Sequence, residues 1–74
     1  MTKPITEEGM HKIRVAAAKK GLFTNKQIAA AIGISPVTFS RKVRGKALFT
    51  LEEVKFFRDE LRLSLNDIDD IFFA

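Results

Sequence analysis

Apolar residues recur along the chain at three- and four-residue spacing in short blocks, and no block shows the strict alternation of a strand. The first block, residues 7–20, sets Met10, either Ile13 or Arg14, and Ala17 along one side. Acids at its start and Lys19 and Lys20 at its end suit a helix dipole. Gly21 closes it, and Leu22 and Phe23 are expected to pack inward as the chain turns. Thr24 followed by Gln27 has the spacing of a capping box, so a second helix starts there, with Ile28, Ala29 and Ile32 as a narrow apolar face. Gly33 should stop it after about two turns. Ile34 is then expected to plug inward, Ser35 to cap a third helix, and Pro36 to take its first position, where a missing amide hydrogen costs nothing. Phe39 and Val43 face inward by spacing, while Val37, Thr38, Ser40, Arg41, Lys42 and Arg44 are left for other faces and Gly45 ends the helix.

The next helix has the clearest start. Phe49, Thr50, Glu53 and Val54 combine a capping box with a hydrophobic staple, which predicts a helix over 51–62. Leu51, Val54, Phe57 and Leu61 share one face of it, and Phe56 lies off that face. Ser64 and Asp67 repeat the cap spacing and predict a last helix over 65–71. Leu65, Ile68 and Phe72 are its docking residues, and Asn66, Asp67, Asp69 and Asp70 form an acidic outer side. Residues 1–6, with Lys3 and Pro4, read as a flexible arm. The expected fold class is all-α, five helices around one core, with residues 1–74 a single domain.

Size and charge narrow the function. A chain of 74 residues buries a modest core and no cleft of enzyme size. Thirteen Lys and Arg against nine Asp and Glu give a net charge of +4, which favours a polyanionic partner. The absence of cysteine excludes a disulfide staple and a thiolate zinc site. His11, the sole histidine, falls among solvated positions with no activated nucleophile or metal partner, so no catalytic site, metal or cofactor is expected. Nothing resembles a signal peptide, and the longest apolar run is far short of the roughly 20 residues that cross a bilayer. A cytoplasmic protein with no membrane partner is the expectation.

Residues 24–46 resemble the helix-turn-helix of the phage repressor and Cro-like family, where a Gln-x-Leu-Ala-x-x-x-Gly-x-Ser core leads into a helix ending Ser-Arg-x-x-x-Gly-Lys. The matching residues are Gln27, Ile28, Ala29, Gly33, Ser35, Ser40, Arg41, Gly45 and Lys46. Residues 49–73 are similar to the last two helices of small phage regulators of this kind. The chain departs from the pattern by an extra residue between Gly21 and Thr24, and by Lys42 and Val43, where many members carry an aliphatic residue and then an acid.

The resemblance implies a five-helix, lambda-repressor-like domain with its helix-turn-helix over 24–45. It further implies a sequence-specific regulator of phage or prophage transcription that lays a recognition helix, about 36–44, in the major groove of a double-stranded DNA operator. The positions of Pro36 and Val37 usually read bases in this family, yet neither side chain donates a hydrogen bond. Base readout is therefore expected from Val37 and Thr38 against a thymine methyl and from Arg41 against guanine. Phosphate contacts are expected from Asn25 and Lys26 at a helix start, from Ser35, Ser40 and Lys42, and from Arg44 and Lys46 beyond the helix. The family pattern also implies a homodimer, at least on DNA. The sequence holds more aromatic surface than so small a core needs, and Phe56, Ile71 and Phe73 are the expected interface residues. The alternative is a helical protein-interaction module that binds another phage regulator or a host factor, its basic face serving solubility.

Overall fold

The computed structural model describes residues 3–73. Five helices follow one another: α1 (Glu7–Ala18), α2 (Asn25–Ile32), α3 (Pro36–Val43), α4 (Leu51–Asp59) and α5 (Leu65–Ile68), the last running on into a π-helical turn, Asp69–Phe73. No strand occurs among the described residues. The domain is all-α and packs around one hydrophobic core.

Each helix begins on a Ser or Thr whose side chain accepts the backbone N–H of the third helical residue. Thr24, Ser35, Thr50 and Ser64 do so as their spacing predicts, and Thr24 and Thr50 complete reciprocal boxes with Gln27 and Glu53. Such a cap satisfies one of the orphan amides of the first turn and contributes about 1 kcal/mol. Thr6 caps α1 in the same way, although the sequence reads that residue as part of a flexible arm.

The arm is in fact a fixed strap from Lys3 onward. Lys3 N–H donates to the Phe72 carbonyl at 2.9 Å, and Ile5 N–H donates to the Val43 carbonyl at 2.8 Å. Ile5 joins the buried core. These bonds hold the start of the chain to the end of α3 and to the closing π turn at once; residues 1 and 2 of the expected arm lie outside the described residues. The partners are distant in sequence, which is why local pattern reading assigns the segment to solvent.

A left-handed glycine turns the chain after each of α1, α2 and α3: Gly21, Gly33 and Gly45. In every case the following amide reaches back across the last turn, Leu22 to Ala17, Ile34 to Ala29 and Lys46 to Arg41. Helix α4 ends otherwise. It stops at Asp59, three residues before the expected Arg62, because the last turn widens and Leu63 N–H bonds to the Phe57 carbonyl at 3.2 Å. The left-handed residue there is Arg62, at φ 58°. Helix α1 likewise closes at Ala18, short of the expected Lys20.

Four phenylalanines form the middle of the core. Phe49 meets Phe39, Phe57 and Phe72 edge-on, with centroids 6.3, 5.9 and 5.2 Å away. Edge-to-face pairs add about 0.5–1.5 kcal/mol each beyond area burial. Met10, Ile13, Ala17, Ile28, Ala29, Val54, Leu61 and Ile68 surround them, and Arg14 is exposed, which resolves the choice on α1 in favour of Ile13. Three expected core residues are instead in solvent: Phe23 is 72 % exposed, Leu51 69 % and Leu65 72 %. Leu51 and Leu65 are each the first helical residue, before the chain has turned fully onto the core, and the buried residues Phe49 and Val54 supply the apolar contact at the α4 start. For Phe23, Gln27 Oε1 accepts the Phe23 amide at 2.7 Å as well as that of Thr24, and this extended cap holds residue 23 outside the core.

Candidate nucleic-acid interface

Helices α2 and α3 have eight residues each and are joined by a turn of three, Gly33, Ile34 and Ser35. Gly33 at φ 96° reverses the chain, and Ile34 is half-buried against the core. Ser35 then opens α3: its hydroxyl accepts the Thr38 N–H at 3.1 Å and donates to Thr38 Oγ1 at 2.9 Å. Ile28 and the fully buried Ala29 seat α2 on the core, and the small alanine lets the α2 backbone approach closely.

Three attachments hold α3. Phe39, fully buried, inserts into the phenylalanine cluster. Lys42 Nζ binds both carboxylate oxygens of Glu53 on α4, at 2.6 and 2.7 Å. The strap binds the Val43 carbonyl. Beyond Pro36 at its exposed start, what remains free is a single stripe, Val37, Ser40, Arg41 and Arg44, spaced by three, one and three residues as one face of a helix requires. All four are exposed, Val37 at 70 %.

Several expected contact residues change standing. Lys42, expected on an outer face against phosphate, is buried in its pair with Glu53 and faces α4. Thr38, expected to read bases, is half-buried with its hydroxyl engaged by Ser35, and Ser35 in turn spends its hydroxyl proton on Thr38. Ile71, expected at an interface, is a core residue at 2 % exposure. Phe56 is half-buried with its ring 5.7 Å from that of Phe57, so of the three interface residues only Phe73 is substantially exposed, at 47 %. Asn25, Lys26, Ser40, Arg41, Arg44 and Lys46 are all exposed as expected.

Gln27 belongs with them, although in the sequence its capping spacing alone accounts for it. With its Oε1 held by the Phe23 and Thr24 amides, the side-chain NH₂ is the end left for a ligand, beside Asn25 and Lys26 in the first turn of α2. That turn carries no acid, so its dipole and amides present positive potential to an anion.

Charge is segregated along the chain to a degree the net value hides. Between Glu8 and Glu52 there is no carboxylate, whereas nine Lys and Arg fall in that interval. Of these nine, only Lys12 and Lys42 form ion pairs among the described residues. Helices α2 and α3 thus carry basic side chains and no acid, and the acids fall in the first turn of α1, in α4 and the residue after it, in α5 and in the closing π turn.

No group of His, Asp or Glu among the described residues is placed to hold a metal ion. No helix among them is long and apolar enough to cross a membrane. Comparison with family models, with curated protein sequences and with solved structures gives no match.

Proposed function

We propose that α2, its turn and α3 are the helix-turn-helix of a lambda-repressor-like domain, and that the protein is a sequence-specific double-stranded DNA-binding regulator of phage or prophage transcription. The observation that carries this reading is the exposed stripe Val37, Ser40, Arg41 and Arg44 on a helix held from behind at three points, within a stretch of chain, residues 9–51, that holds no carboxylate. A rigid helix with a slim outward face of this kind fits the major groove.

Val37 offers its methyls to a thymine methyl, and Arg41, four residues on, reaches guanine O6 and N7 in a bidentate pair. Ser40 lies between them with a hydroxyl that donates or accepts. Thr38 is half-buried and accepts the Ser35 hydroxyl proton, which fixes its Oγ1 at the front of the helix and leaves its own O–H as the group it can offer. Asn25, Lys26 and the Gln27 amide take one phosphate strand at the positive end of α2, and Arg44 and Lys46, on either side of Gly45, take the other. Lys42 positions α3 through Glu53 and touches no DNA. Two copies on a palindromic operator, meeting through the surface around Phe73, set half-sites about one helical turn apart.

The test is selection of bound sequences from a random duplex pool, followed by titration of a labelled selected site. A consensus should emerge, and Arg41→Ala should lose discrimination at one base position by about 1–3 kcal/mol. If Arg41→Ala and Arg44→Ala bind selected and random duplexes just as the parent does, the proposal fails.

A further inference from the structure

We propose that the cleft between α1 and the α4–α5 connection docks an acidic, amphipathic peptide segment of a protein partner, at a site separate from the α2–α3 surface. The cleft measures about 500 Å³, and no residue of α2 or α3 lines it. Its floor is apolar: Ala16, Leu61 and Leu63, with Val15 on α1 left 46 % exposed above them. Its rim is basic. Lys19 and Lys20 stand at the end of α1, and Arg62 faces them from the connection, all three exposed and without an ion-pair partner among the described residues. The one carboxylate in the cleft, Asp67, is held by Lys12 at 3.5 Å.

The backbone adds an independent observation. Four described residues adopt left-handed φ, and three are the glycines that such a conformation favours. The fourth is Arg62, at φ 58°, fixed between the buried side chains of Leu61 and Leu63. Arg62 thus holds a rim cation at a position where glycine would relax the chain.

The ligand class follows from the combination. A nucleic-acid backbone would meet the cations but leave the exposed valine and its neighbours without an apolar partner. A peptide with carboxylates flanking an aliphatic or aromatic side chain satisfies both: the side chain settles over Val15 and Leu63, one carboxylate pairs with the Arg62 guanidinium in fork geometry, and others meet Lys19 and Lys20. This docking does not depend on DNA binding.

The experiment titrates the isotope-labelled full chain with three probes: a capped peptide of Glu with Leu and Phe at helical spacing, a poly-Glu peptide of equal charge, and a random-sequence duplex. The amphipathic peptide should give saturable amide shifts at Val15, Lys19, Arg62 and Leu63, with poly-Glu about tenfold weaker. Val15→Asp should abolish saturation while the melting temperature holds. Arg62→Gly should weaken the amphipathic peptide about tenfold yet raise the melting temperature by a few degrees, roughly 4 °C, as the backbone strain is released. Equal affinity for both peptides would reduce the site to unspecific charge and overturn the proposal. So would unchanged binding by both variants, or shifts in the cleft produced by the duplex and not by the peptide.

Discussion

Lys42 and Glu53 share an ion pair in which each side chain is only 10 % exposed, and the same Glu53 Oε1 also accepts the Thr50 backbone N–H at 2.8 Å. One carboxylate therefore closes the capping box of α4 and ties α3 to it. A buried pair owes its value to completeness, since removing one partner strands the other charge without water. Lys42→Ala should cost about 3 kcal/mol in urea denaturation. Lys42→Met combined with Glu53→Gln keeps side-chain volume and a cap acceptor, so its loss should be smaller than that of either Lys42→Ala or Glu53→Ala alone. A Lys42→Ala cost below about 0.5 kcal/mol would show that solvent screens the pair.

Gly45 and Gly33 present the same backbone problem in different surroundings. Both are left-handed, at φ 80° and 96°, so an alanine at either pays about 1–2 kcal/mol for conformation. A Cβ on Gly33 meets nothing within 4 Å, whereas one on Gly45 would lie 2.5 Å from Pro4 Cγ in the strap. Gly45→Ala should therefore destabilise by at least about 1 kcal/mol more than Gly33→Ala, and the excess should vanish in a Pro4→Gly background. Faster hydrogen exchange at the Ile5 amide in Gly45→Ala would locate the excess in the strap; equal costs for the two alanines would remove the strap from the account.

What the sequence discloses and what it conceals divide by distance along the chain. The starts at Thr24, Thr50 and Ser64 and the stops at Gly33 and Gly45 are readable because each is a signal spanning three or four residues. The inward set Phe39, Phe57 and Ile68 is readable because helical period fixes which residues share a face. Period does not say which end of a face reaches the core, and so Leu51 and Leu65, at first helical positions, are misplaced. Nor does it see partners: Lys42 looks like one more outer cation until α4 brings Glu53 against it, and Ile5 looks like a frayed end until Val43 accepts its amide. In the candidate site, the exposed residues were legible and the buried anchor among them was not.

The misplaced leucines yield a direct check of the packing. Leu51 and Leu65 are each largely in solvent at the first position of a helix, where a carboxylate interacts favourably with the dipole. Leu51→Glu and Leu65→Glu should each stay within about 0.5 kcal/mol of the parent in stability. Val54→Glu, one turn into α4 and buried, should unfold the domain at room temperature, because it replaces core volume with an unpaired charge. A Leu51→Glu cost of about 2 kcal/mol or more would return that residue to the core.

Salt dependence separates the cations that would meet DNA from the one that holds the helix. Each phosphate neutralised releases counterions, so every lost phosphate contact should flatten the plot of log affinity against log salt by about one unit. Arg44→Ala and Lys46→Ala should each do this while leaving the preference among sequences unchanged, since in the proposed complex Arg44, at the far end of the stripe, and Lys46, past Gly45, take phosphates rather than bases. Arg41→Ala should instead relax the preference at a single base pair with little change of slope. Lys42→Met should leave both slope and preference as they are at temperatures where the variant remains folded, because its ammonium is buried against Glu53 on α4. Titrations at several salt concentrations with a selected and a random site measure all four. A flattened slope for Lys42→Met would mean that the pair with Glu53 opens on DNA and that the ammonium is shared with a phosphate.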